Sequence, residues 1–157
     1  MAVKSEVFLN AQVWVSTTTA LGGNNISDLV TSVEFNRTYD ILDDTTMGES
    51  AHSRKAGLET ATATVELVQR FSTEGTQLSG QSLDSLLQTL ADLSTSGSSF
   101  LIAFTPGAGL VSSTNPRYSF LAILESYSPM TGSVGDILKT SVPFQSGGGS
   151  VTRASSS

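Results

Sequence analysis

Strict alternation of apolar and polar positions is the strongest signal in this chain. It is clearest in LETATATVELV, residues 58–68, where Ala61, Ala63, Val65 and Leu67 alternate with Thr60, Thr62, Thr64 and Glu66. Successive side chains of a strand point to opposite faces, so this run predicts a strand with one dry and one wet face. Asp28 to Tyr39 follows the same rule, with Leu29, Thr31, Val33, Phe35, Arg37 and Tyr39 on one side and Val30, Ser32, Glu34, Asn36 and Thr38 on the other. Glu6 to Val15 reads as an earlier strand, placing Phe8 and Trp14 opposite Val7, Leu9, Ala11, Val13 and Val15. Phe100 to Thr105 and Arg117 to Tyr127 are apolar on both faces, which suits central strands. Ile137 to Gln145 is a last long strand.

Between Gly80 and Ser96 the period changes. Leu83, Leu86, Leu87, Leu90 and Leu93 recur at helical spacing and form one apolar stripe, so a helix is expected over about 82–95. Ser82 suits its N-cap and Gly97 its end. The segments 16–25, 106–116 and 129–136 are rich in Gly, Ser, Asn and Pro and read as turns or loops. GGGS at 147–150 suggests a flexible C-terminal tail over about 147–157, with VTRASSS a short edge strand or a frayed end. The expected architecture is one domain, 1–157, with no internal repeat: a mainly β antiparallel sandwich or partial barrel with one packed α-helix.

One segment breaks the rhythm. Between the second and third strand patterns runs Asp40 to Gly57, DILDDTTMGESAHSRKAG, far longer than the two to five residues that usually close a hairpin. Its first half carries Asp40, Asp43, Asp44 and Glu49, its second His52, Arg54 and Lys55. A long arm with opposite charges at its two ends suits contact with another copy of itself. Its polarity predicts that it orders only on such contact.

Composition sharpens this picture. Charged residues make up only 14% of the 157, against roughly 25% in an ordinary soluble domain, and short hydroxyl side chains fill the gap. Low surface charge is compatible with close packing of copies. The formal net charge of −6 argues against gripping nucleic acid, since phosphate contacts need Lys and Arg. An acidic surface can instead repel a polyanion and let it slide. With no cysteine, disulfides, thiolate metal sites and thiol nucleophiles are excluded. No apolar run resembles a signal peptide or a membrane span, so no membrane partner is expected.

Candidate chemistry is thin. His52 is the sole histidine, near Asp43, Asp44 and Glu49, but DILDDTTMGE lacks the alternating acid spacing of a calcium loop. No G-x-S-x-G elbow is present, and GAGLVSS at 107–113 has neither the context nor the lysine of a phosphate cradle. Neither catalysis nor a metal or cofactor is expected. Trp14, Tyr39, Tyr118 and Tyr127 are the aromatic residues that would serve a carbohydrate platform, yet each lies in or beside a strand pattern, which favours packing.

The order of these features resembles the tail tube (major tail) proteins of long-tailed, non-contractile bacteriophages. The resemblance lies in EFNRTYDILDDTTMGESAHSRKAGLETATATVEL (34–67), GSSFLIAFTP (97–106), STNPRYSFLAILESYSP (113–129) and TGSVGDILKTSVPFQSGGGSVTR (131–153). It implies a subunit of hexameric rings whose inner sheets join into one barrel around a lumen, with rings stacked into a hollow tube for DNA ejection. It further implies that Asp40, Ile41, Leu42, Asp43, Asp44, Met47, Glu49, His52, Arg54 and Lys55 form the stacking arm between rings, with acids meeting bases across the junction. Ser32, Glu34, Asn36, Thr60, Thr62, Thr64 and Glu66 would line the lumen. The implied partners are further copies of the chain, a tape measure protein, and tail terminator and baseplate proteins, while DNA passes without specific binding. The implied location is the virion tail, assembled in the bacterial host cytoplasm. Some relatives add an immunoglobulin-like domain after the tube domain; 157 residues leave no room for one, which implies a plain outer surface.

Two other readings remain open on the residues alone. One is a head–tail connector, tail terminator or capsid decoration protein, which shares the β-plan but closes after one ring or sits on a lattice. The other is a carbohydrate-binding β-sandwich acting as a monomer.

Overall fold

In the computed structural model, which describes residues 11–20, 23–72, 78 and 81–156, all paired strands run antiparallel within one seven-stranded sheet. The strands are β1 (Gln12–Ser16), β2 (Asn24–Asn25), β3 (Val30–Asp43), β4 (Arg54–Val68), β5 (Phe100–Thr105), β6 (Arg117–Leu124) and β7 (Lys139–Ala154). The helix α1 (Leu83–Thr95) lies between β4 and β5 in sequence. Across the sheet the order is β2-β1-β5-β6-β7-β4-β3, which leaves β3 at one edge.

This sheet curls on itself. Phe35 of the edge strand β3 packs its ring 5.6 Å from Phe104 of β5 and 5.6 Å from Phe120 of β6, strands that are not its neighbours in the order. The result is a partial barrel built from one continuous sheet. Its interior is filled by alternate residues of each strand: Val13 and Val15, then Ala61, Ala63, Val65 and Leu67, then Ile102 and Phe104, Phe120 and Ala122, Val142 and Phe144. Leu83, Leu86, Leu87 and Leu90 of α1 add their stripe to the same core. The helix starts where Ser82 Oγ accepts from Ser85 N–H, and ends where the Gly97 and Ser98 amides return to the carbonyls of Ser94 and Leu93, with Gly97 at φ +82°.

Several expected boundaries move. The first strand is described from Gln12; its expected part before residue 11 lies outside the described residues. The turn-rich segment 16–25 contains β2, and a 3-10 turn, Ser27–Leu29, precedes β3. Strand β6 stops at Leu124, short of Tyr127.

The largest correction is at the C-terminus, where the expected flexible tail about 147–157 is strand as far as Ala154. GGGS is tolerated because β7 bulges against β6 there, with register shifts between Ser119, Leu121 and Ala122. Gly149 has φ +74°, and a side chain on Gly147 would meet Ile123 Cγ2 at 3.0 Å and Ser99 Cβ at 3.1 Å. Gly147 fits a crowded spot in the bulge, and Gly148 and Gly149 supply its positive φ angles. They are not a hinge.

Candidate assembly surfaces

Strand register defines two ends of the subunit. The arm end is where Asp43 pairs with Arg54 and where Arg117 pairs with Ala154. At the opposite end Val68 pairs with Lys139, beside the segment joining β6 to β7. Three surfaces follow from this frame: a wet face, an open edge and two apolar ends.

On the wet face, Ser32, Glu34, Asn36 and Thr38 of β3 stand directly opposite Glu66, Thr64, Thr62 and Thr60 of β4. All seven residues expected on one polar surface are therefore brought together on it. The next strand extends the surface, because Thr62, Thr64 and Glu66 pair with Gln145, Pro143 and Ser141. Gln145 in turn donates to Glu125 Oε2 at 3.0 Å, and Asn36 donates to Glu34 Oε1 at 3.0 Å. From Ser32 to Thr38 and from Thr60 to Glu66 this face carries no base; Lys139 stands at the far end of the register, opposite Val68.

Among the described residues β3 pairs only with β4, so one side of its fourteen residues has no strand partner among them. The other edge is short: β2 has two residues, and beside it Val13 of β1 is covered, with Ile26 N–H bonding Val13 O at 3.0 Å and Ser27 Oγ accepting from Val13 N–H at 2.8 Å. A long, uncovered edge strand is a template for pairing with another chain. Between β3 and β1 the curled sheet fails to close, leaving a cleft of about 390 Å³ lined by Val13, Val33, Phe35, Phe104, Pro106 and Tyr118.

Beyond the body, β3 and β4 continue as a two-stranded arm. The expected irregular loop of 40–57 is therefore β-hairpin up to Asp43 and from Arg54, and only 44–53 form its tip. A register shift between Tyr39 and Ile41 puts an extra residue into β4 at the arm's base. The tip is closed by local bonds: Asp44 N–H to Ser53 O at 3.0 Å, Ser53 N–H to Thr45 Oγ1 at 2.9 Å, and Thr46 N–H to Glu49 Oε2 at 3.0 Å. These bonds give the tip partners within the chain.

The arm's charges largely answer one another. Lys55 Nζ lies 2.5 Å from Asp44 Oδ2, and His52 Nδ1 lies 3.7 Å from Asp43 Oδ2. Bonds from Thr45 hold Asp43 below the usual carboxylate range, and Lys55 with Ser53 does the same for Asp44. Asp43 and Asp44 thus have partners inside the chain. At the arm's base Arg37 Nε donates to Glu59 Oε1 at 2.8 Å, which lowers the Glu59 carboxyl and raises the Arg37 guanidinium. Asp40 and Arg54 remain outside these pairs.

Sequence reading missed how the apolar surface is divided. Tyr39, Ile41, Leu42, Met47 and Leu58 are exposed on the arm, Ile41 to 65% and Met47 fully. Phe71, Met130, Val134 and Ile137 are exposed at the opposite end, Val134 fully. Of the aromatics that would form a carbohydrate platform, Trp14, Tyr118 and Tyr127 are half-buried and Tyr39 alone is exposed. Among the described residues no group of three or more His, Asp or Glu side chains is placed to hold a metal, and no helix is long and apolar enough to cross a membrane.

No protein-family model matches the sequence, and no curated protein matches it. Solved structures do. A chain of the virion of a native gene transfer agent particle aligns over 96% of this chain and 100% of its own length, with TM-score 0.64 and 10% identity. A chain from the tail of an empty gene transfer agent particle, refined helically with C6 symmetry, aligns over 81% of this chain and 83% of its own, with TM-score 0.56 and 10% identity. A chain of the anti-feeding prophage baseplate, sixfold symmetrised, aligns over 99% and 98%, with TM-score 0.55 and 8% identity. The chain therefore has a fold found in phage-like tail particles: mainly antiparallel β with one helix.

Proposed function

We propose that this chain is a structural subunit of a phage tail tube, forming hexameric rings that stack into a hollow conduit for DNA. The observation that carries the reading is the edge of β3, left without a strand partner among the described residues and continued as the arm, on a fold otherwise seen in sixfold tail assemblies. Edge pairing between copies removes the exposed β3 ladder and closes the cleft beside it. Head-to-tail stacking is a heterologous contact, which propagates as an open filament.

In this arrangement the wet face lines the bore. Glu34 and Glu66 among threonines, serine and asparagine give a hydroxyl-rich acidic wall, and each copy adds its formal net charge of −6. Such a wall repels phosphates and offers DNA no sticking point. The subunit does no chemistry on it. Tape measure, terminator and baseplate proteins would meet the lumen and the two tube ends.

Negative-stain electron microscopy of the concentrated pure protein tests this. Long hollow tubes with a regular axial repeat are expected. Closed single rings would favour a terminator or connector, and a persistent monomer that binds glycans would favour the carbohydrate-binding alternative.

A further inference from the structure

We propose that the segment between β6 and β7, exposing Met130, Val134 and Ile137, is the seat on which the arm of the next copy docks. This rests on the stacked-ring reading and adds the acceptor to it. The starting point is the division of exposed apolar side chains. Those on the arm (Tyr39, Ile41, Leu42, Met47, Leu58) and those on this segment lie at opposite ends of one subunit, so neither set can cover the other within a chain. A translation along the strands, repeated from copy to copy, brings each arm set to the next copy's segment. Patches that differ and lie at opposite ends are what a head-to-tail contact requires.

The seat is built, not loose. Buried Gln69, at the end of β4, donates from Nε2 to Tyr127 Oη at 2.8 Å and to Pro129 O at 2.9 Å. Tyr127 Oη donates to Asp84 Oδ1 at 2.5 Å, tying the segment to the first turn of α1. Thr140 Oγ1 donates to Ser128 O at 2.9 Å, and Gln69 N–H bonds Leu138 O at 2.9 Å. Both ends of the segment are therefore pinned to the body, and a local turn from Asp136 N–H to Ser133 O holds its middle. Pinning of this kind keeps Met130, Val134 and Ile137 in water when they could otherwise fold back onto the core.

Charge agrees with the apolar match. Lys139, where the segment enters β7, and Asp40, at the base of the arm, each stand outside the in-chain ion pairs, and both lie on the wet-face side of their strands. A cation at the seat and a carboxylate on the arm are complementary across the junction.

The absence of native cysteine gives a direct test. The double variant Met47→Cys with Val134→Cys places one thiol at the arm tip and one on the seat, both on fully exposed side chains whose replacement leaves the core untouched. Mild oxidation of assembled tubes should yield a ladder of disulfide-linked multimers on a non-reducing gel, while each single variant stays free of a ladder. Tubes that assemble normally but give no ladder would overturn the seat and leave the tube reading standing. Failure of the unmodified protein to form tubes would overturn the tube reading and this one with it. As an independent check, Val134→Asp should cut tube length at least tenfold while rings remain; tubes of full length would contradict the proposal.

Discussion

Strands β3 and β4 are two regions in one hairpin. In the lower half, Val33 and Phe35 pair with Val65 and Ala63 and join the core through the rings of Phe104 and Phe120. In the upper half, Tyr39, Ile41 and Leu42 pair with Glu59, Ala56 and Lys55 by the same backbone ladder, yet their side chains meet water. The backbone order is alike; the side-chain partners are not. The lower half is explained by the fold of one chain, whereas the upper half has apolar surface that the described residues leave in water. That contrast is the physical argument for self-assembly.

The comparison breaks hardest from below. Phe120→Ala, at 2% exposure among packed rings, should destabilise the subunit by about 3–5 kcal/mol and remove assembly together with folding, read by denaturant unfolding. The matching change above is Ile41→Asp with Leu42→Asp. Both sites are more than half exposed, so stability should shift by no more than about 0.5 kcal/mol while tubes are lost. Equal losses of stability from the two changes would erase the distinction between the halves.

Much of this was legible in the alternation. The dry set Ala61 to Leu67 and the leucine stripe of α1 are the core, because period two and period 3.6 each leave one face for burial. The wet-face residues were legible one strand at a time, but which strands stand side by side was not, since register depends on non-local pairing. The arm read as loop because its polarity hides a β-ladder whose stability comes from backbone bonds and local pairs such as Lys55–Asp44. GGGS read as a tail because glycine signals freedom in sequence, whereas here the space beside Ile123 and Ser99 demands Gly147 and the positive φ of the bulge favours Gly149. The seat was invisible, since its exposure depends on how Gln69, Tyr127 and Asp84 meet in space.

Smaller effects sharpen the contrast. Glu34→Lys or Glu66→Lys should leave tubes intact and slow genome ejection in a phage built with the variant, measured by DNA release after receptor triggering. Normal ejection would remove these residues from the bore. Acid should loosen the arm before the body. The Asp43, Asp44 and Glu59 carboxyls are held low in the fold, so their contribution is present above the unfolded values and fades as pH falls below about 4. Faster hydrogen exchange at the Asp44 amide than in β5 over that range is the expected reading.

The smallest effect concerns the seat. Burial and the bond to Asp84 push the Tyr127 hydroxyl up to about 12. A raised value stabilises the fold below the ordinary tyrosine range, near 10, and that contribution is lost as pH climbs toward 12. Of the three tyrosines, one should therefore ionise late in an ultraviolet absorbance titration, and Asp84→Asn should bring it earlier.

The most direct test of the central claim is the density of an assembled tube at side-chain detail, from helical cryo-electron microscopy. The account predicts sixfold rings in which β3 pairs with a neighbouring copy, Glu34 and Glu66 face the bore, and the arm crosses to the adjacent ring. A tube with β3 unpaired and its wet face turned outward would contradict it.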